Sequence, residues 1–250
     1  MVYLKFILMG VIGGIVSGFL GIGGGIVMIP LLLYFTDVGL KAATAISMVQ
    51  VVFSSISGTI FNYFQKTINF KYSAYFGLPA AVFSFLGSYL TKYIPDLAIK
   101  IIYLFAVAVS FVLFFLRSKI EKKRLTSSEI RFYEIIPVGI IAGFTAGLLG
   151  VGGGFLFVPA LLFFCSLPIK VAVGTSLGAI IFTSIPGMIG KVISVDFDAM
   201  FAIVVGISAI GGSRLGTYLN RKVNPKVIRI IFALLLAVII IRVVVDLLNH

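Results

Sequence analysis

Apolar residues fall into ten stretches along the chain, approximately 4–20, 26–36, 41–64, 72–92, 97–116, 134–149, 155–166, 170–190, 197–219 and 226–248. Most of them approach the ~20 residues that carry a helix across ~30 Å of hydrocarbon. The stretches 26–36 and 155–166 are too short to cross, and each follows a cluster of glycines. Polar residues concentrate in 117–133, Arg117 to Tyr133, which contains six basic residues. This stretch is predicted to link a first membrane repeat, 1–116, to a second, 134–250. The first apolar stretch follows Lys5 as a signal peptide would, but no small-residue cleavage site comes after it, and the same segment recurs inside the chain.

That recurrence has a fixed period of 129 residues. Gly10, Gly14 and Gly18 fall on Gly139, Gly143 and Gly147, and Leu20 to Gly25 on Leu149 to Gly154. Pro30 matches Pro159, Lys41 matches Lys170, Ser47 matches Ser176 and Gly58 matches Gly187. With a small gap, Gly87-Ser88 aligns with Gly212-Ser213. Self-similarity at one period marks a duplicated structural unit.

Composition makes the surface a membrane one. The 250 residues are 60% hydrophobic and only 11% charged, with a mean hydropathy of +1.20. A soluble domain carries roughly 25% charged residues. The formal charge of +12 sits in short connections between apolar stretches, as the positive-inside bias expects, and does not indicate a nucleic-acid partner. A single cysteine, Cys165, excludes an internal disulfide and a cysteine metal cluster,. No cofactor is expected.

Two arrangements of the halves fit the pattern. If each glycine-broken pair (4–20 with 26–36, and its repeat) is one crossing, each half crosses four times and the halves are parallel. If each pair is a hairpin that leaves on the side it entered, three full crossings remain and the second half is inverted. With the linker on the cytoplasmic side, the inverted arrangement places 14 of the 20 basic residues there and the parallel one 11. The cluster Arg221 to Arg229 makes the difference, so charge bias favours inversion. The expected fold is an all-α polytopic membrane protein of two inverted repeats, each a re-entrant broken helical hairpin plus three transmembrane helices, in the plasma membrane.

The sequence G-x-x-x-G-x-x-x-G, then L-G-[IV]-G-G-G, then proline five residues on, is the most distinctive motif. Three adjacent glycines break the helix and allow positive φ and close backbone approach. The next helical piece starts with N–H groups that lack intrahelical partners, which in a membrane must line a cavity or find acceptors. Such ends carry partial positive charge and hold anions. The candidate anion-binding residues are therefore Gly21, Gly23, Gly24 and Gly25 with Gly150, Gly152, Gly153 and Gly154. Polar residues share helical faces nearby: Ser47, Gln50 and Ser54 in one stretch, and Thr175, Ser176 and Thr183 in the other. These suit a partly dehydrated oxyanion, although glycine and hydroxyl residues also serve helix packing. Lys41, Lys170 and Arg214 are candidates for electrostatic guidance, with snorkelling toward the interface as the plainer role.

The paired glycine elbows, the Lys-x-Ala-x-x-x-Ser segments at Lys41 and Lys170, and the chain length resemble the TauE/SafE family of sulfite exporters. The resemblance spans nearly the whole chain and implies transport of sulfite, a sulfonate or a related sulfur oxyanion. The first half departs from the pattern: it reads Thr44-Ala-Ile-Ser47, and the Thr-Ser pair occurs only at Thr175-Ser176. All eight acidic residues lie in loops or near helix ends, so no carboxylate is placed for proton coupling. Export needs none, because ~100 mV, negative inside, favours a leaving anion by ~2.3 kcal/mol per charge. The expected partners are a small anion and membrane lipid. An anion channel and a non-transporting assembly or receptor protein remain the alternatives. One histidine, one cysteine and no paired intramembrane acids give little for enzymatic chemistry.

Overall fold

Glycines along the helix seams set the architecture, because they decide which helices can approach closely. In the computed structural model, which describes residues 2–120 and 132–248, the chain forms ten helices and no strand among those residues. The first half contains α1 (Val2–Leu20), α2 (Gly25–Phe35), α3 (Leu40–Phe64), α4 (Phe70–Leu90) and α5 (Asp96–Ile120). The second repeats the series as α6 (Phe132–Leu149), α7 (Gly154–Phe164), α8 (Ile169–Ser194), α9 (Ala199–Lys222) and α10 (Pro225–Leu248). Most of the linker expected over 117–133 lies outside the described residues, as does the terminal His250.

Among the described residues, seven helices are long and apolar enough to cross a membrane: α1, α3, α4, α5, α8, α9 and α10. The broken partners α2 and α7 have 11 residues each, about 16 Å of helix at 1.5 Å per residue, and reach only halfway. The first arm of the expected hairpin, α1, is itself long enough to cross.

The halves interlock. Helix α1 lies on α9: a methyl group at Gly14 would stand 2.4 Å from the Ala209 carbonyl oxygen, and one at Gly18 2.1 Å from that of Ser213. Helix α6 lies on α4 in the same way, Gly143 against Ala80 (2.2 Å) and Gly147 against Ser84 (2.0 Å). Ala80 and Ser84 plus 129 are Ala209 and Ser213, so the two contacts are copies. Only glycine permits backbones to approach this closely, the packing mode that small residues give in lipid. The same contacts correct one sequence equivalence. Gly87 meets the Phe144 carbonyl and Gly216 meets that of Ile15, so Gly87 corresponds to Gly216 at the uniform period, and the gap that aligned it with Gly212 is not needed.

The contact registers also fix helix directions. Along the α1–α9 seam residue numbers rise together, as they do from Gly178–Ser73 to Gly190–Ser88 along α8 and α4. Along the seam of the equivalent helices α3 and α8 they run oppositely, Met48 beside Gly187 and Gly58 beside Leu177. The equivalent helices α3 and α8 therefore cross antiparallel. Among the membrane-length helices these two are the most enclosed, with 78% and 67% of their apolar stretches buried against 22% for α5 and for α10. The core thus lies on the α3–α8 crossing.

Candidate functional site

Each glycine cluster turns the chain through left-handed backbone. Gly21, Gly23 and Gly24 have φ of 72°, 82° and 77°, and Gly150, Gly152 and Gly153 have 69°, 79° and 82°. A residue with a Cβ is strained in this region. The two elbows meet beside the middle of α3 and α8. A methyl at Gly25 would lie 2.7 Å from the Gly150 carbonyl oxygen, and one at Gly154 2.5 Å from that of Gly21. The elbow backbones therefore touch, and an anion between them requires the halves to part.

Most predicted hydroxyl residues brace this contact. Ser47 donates to the Gly150 carbonyl and Ser176 to the Gly21 carbonyl, both at 2.7 Å. Ser54 donates to the Gly23 carbonyl at 3.1 Å and Thr183 to that of Gly152 at 2.8 Å. These are two symmetric pairs, each joining a long helix to an elbow, and Ser47 and Ser176 reach across to the opposite half. Thr175 is elsewhere: its hydroxyl accepts from the Asn69 N–H at 3.0 Å, at the start of α4. Lys41 and Lys170 are copies too, donating to the Lys92 carbonyl (3.1 Å) and the Arg221 carbonyl (2.7 Å) at the helix ends. Arg214 is exposed on α9, its guanidinium 4.8 Å from the Phe61 ring centroid. Asp198 is occupied as the N-cap of α9, accepting from the Met200 and Phe201 N–H groups.

Gln50 breaks the symmetry. It is fully buried, and neither its Oε1 nor its Nε2 has a hydrogen-bond partner among the described residues. Its Nε2 lies 2.9 Å from where a Cβ of Gly24 would stand and 3.4 Å from one at Gly13, so the amide sits over the N-cap of α2. That N-cap has no side-chain bond. The Val27 and Met28 N–H groups both turn to the Gly24 carbonyl, at 3.1 and 3.0 Å, leaving those of Gly25 and Ile26 without an acceptor among the described residues. The equivalent residue on α8 is Ala179. The first elbow thus combines an uncapped helix start with a buried unpaired amide, an arrangement normally costly unless a ligand completes it.

Sequence reasoning missed Lys191, which lies just past the apolar stretch 170–190. It is fully buried in the last turn of α8 and donates to Thr44 Oγ1 (2.8 Å), Thr91 Oγ1 (2.7 Å) and the Leu148 carbonyl (2.9 Å). The signal was its spacing of four and eight from Gly187 and Thr183, on the buried face of α8.

A cavity of about 450 Å³ runs along α2 between it and α10, lined by Ile26, Ile29, Pro30 and Ile239, with Lys100 and Arg242 farther along. It is a lateral groove outside the elbow contact and does not include Gln50.

Half-length helices meeting at their elbows within a bundle of membrane-length apolar helices describe a multi-pass membrane protein, and its relatives make it a membrane transporter. The chain belongs to the sulfite exporter TauE/SafE family, which matches it over residues 6–243. It is 28% identical to the probable membrane transporter protein YunE of Bacillus subtilis, over 96% of each chain. It is 31% identical to a probable membrane transporter protein of Methanocaldococcus jannaschii, over 93% of this chain and 91% of that one. A second Bacillus subtilis relative, the probable membrane transporter protein YdhB, is 29% identical over 86% and 89%. No solved structure matches.

Proposed function

We propose that the protein exports a small sulfur oxyanion, sulfite or an organosulfonate, by alternating access, with the anion held at the glycine elbows. The observation that carries this reading is Gln50, a buried amide with both polar atoms unpaired above the uncapped start of α2. An oxyanion there accepts from the Gln50 Nε2 and the free backbone N–H groups and meets the positive end of the α2 dipole. The antiparallel crossing of α3 and α8 supports reading the halves as inverted repeats that rock about the elbow contact. In that arrangement the 117–133 linker faces the cytoplasm of a plasma-membrane protein. The touching elbows correspond to a closed state, which favours a carrier over an open channel.

The test uses liposomes carrying the purified protein, loaded with sulfite under an inside-negative potential. Efflux should exceed that of protein-free vesicles and fall in Gln50→Leu. Gln50 is a better position to change than Gly24, because a Cβ at Gly24 would lie 2.2 Å from the Gly13 carbonyl and disturb the fold. Efflux at protein-free levels for sulfite, sulfate, thiosulfate and a sulfonate would refute the proposal. Efflux of another of these anions alone would keep the mechanism and correct the substrate.

A further inference from the structure

Lys191 is a fully buried, hydrogen-bonded amine with no anionic partner. Its ammonium uses all three protons, on two hydroxyls and a carbonyl, and none of these partners is a carboxylate. The C-terminal end of α8 contributes only about half an elementary negative charge. Among the described residues no other charged side chain is buried to this degree.

The other half shows that the fold does not need the charge. The residue equivalent to Lys191 is Asn62, whose Nδ2 donates to the Gly58 carbonyl and whose Oδ1 accepts from the Thr67 hydroxyl. The carbonyl equivalent to that of Leu148 belongs to Phe19, and Asn220, the equivalent of Thr91, donates to it at 2.6 Å. Two asparagines thus satisfy on one side what Lys191 and Thr91 satisfy on the other. The position of Lys191 adds a reason for the charge. Thr44, whose hydroxyl it binds, presses its carbonyl against Gly150 of the second elbow. Lys191 therefore stands directly behind one of the two surfaces that must part.

We propose that Lys191 is an anion-binding residue of the transport site, on the side of the second elbow. When α8 moves away from Thr44 and Thr91, the ammonium exchanges their hydroxyls for a small oxyanion that supplies its missing negative charge. An intramembrane ionisable group without a protein counter-ion is suited to this exchange, and a charge-assisted bond to the anion is stronger than the neutral bonds it replaces. The inference rests on the transporter reading above and adds a residue that neither the elbow motif nor the symmetric hydroxyls include.

The test compares wild type, Lys191→Asn, the double variant Lys191→Asn/Thr91→Asn that copies the other half, and Lys5→Asn as an exposed control. Sulfite, sulfate and thiosulfate are the probes, with affinity read by titration calorimetry of purified protein and KM by liposome efflux. Lys191→Asn should keep its melting temperature without anion while affinity weakens and KM rises about tenfold or more, and Lys5→Asn should change neither. Wild-type affinity in a folded Lys191→Asn overturns the inference and leaves the transporter reading intact. If Lys191→Asn does not fold, the double variant decides: a folded double variant with weakened affinity supports the inference, and one that also fails to fold makes the charge structural and overturns it. A wild-type protein that neither binds nor moves any of the three anions removes both readings.

Discussion

The first and second elbows are built from nearly the same residues and differ in what surrounds them. Both have three left-handed glycines, both are braced by one hydroxyl from their own half and one from the other, and both begin an 11-residue helix. Yet Gln50 stands over the first elbow where Ala179 stands by the second, and Lys191 stands behind the second where Asn62 holds the equivalent place. The half-helices differ too. Helix α2 leaves a cavity of about 450 Å³ toward α10, although α5 ties both half-helices, the Tyr103 hydroxyl donating to the Ile26 carbonyl at 3.3 Å and the Ser110 hydroxyl to the Phe155 carbonyl. The lesson is a division of labour. Symmetric residues brace the elbows against each other, and the polar residues Gln50 and Lys191 are where the two halves differ.

Substitutions can break or sharpen that division. The largest effect is expected at the shared seams. Gly18→Leu and Gly147→Leu each drive a side chain into a backbone about 2 Å away, a clash larger than the total stability of about 5–15 kcal/mol can absorb. Neither variant should yield monodisperse protein by fluorescence-detected size exclusion, and recovery of one but not the other would show that the seams are not equivalent. Next are Ser47→Ala and Ser176→Ala. Each leaves an elbow carbonyl without its cross-half donor and should cost about 1–3 kcal/mol. Thermal unfolding should show similar losses for both, and unequal losses would mean that the bracing is less symmetric than its geometry. Gln50→Leu should behave oppositely to the serines. Removing a buried amide with no partner should leave the melting temperature unchanged or raise it, by up to about 1–3 kcal/mol of stability, while flux falls. A destabilised Gln50→Leu would place that amide with the scaffold. The smallest effect is expected at Gly211→Ala, where nothing lies within 4 Å of an added Cβ. Helix propensity alone should then stabilise α9 by at most about 1 kcal/mol.

Much of this was legible in the chain. The 129-residue period gave the pairing of halves, because glycine is demanded wherever two backbones touch, and two copies of one contact demand it at the same interval. The helix breaks were legible for the same reason, since Gly23-Gly24-Gly25 cannot continue a helix in apolar surroundings. Gln50 was found as a polar residue on a polar face. Its lack of partners was not, because satisfaction depends on what α1 and α2 bring to it. Lys191 was hidden by chemistry: a lysine near a helix end ordinarily extends to the interface, and only the three-dimensional meeting of α3, α4, α6 and α8 encloses it. The hydroxyls were recognised as a set, but their direction was not readable, since a serine on α3 can face a ligand or the opposite elbow with equal propensity. Thr175 looked like the partner of Ser176 in sequence, yet adjacent residues on a helix point about 100° apart, and it serves the start of α4 instead.

The exchange of first helices between halves has a consequence for how the protein is made. When the ribosome has finished α1, the glycine groove that will receive α9 is empty, and it stays empty until nearly two hundred further residues have been inserted. Helix α4 waits in the same way for α6. The first half therefore cannot complete its own packing during synthesis, and premature termination after the linker leaves a fragment with bare glycine grooves rather than a smaller working protein. Such a fragment could finish its grooves only against a second copy of itself, which is the simplest picture of the unduplicated ancestor.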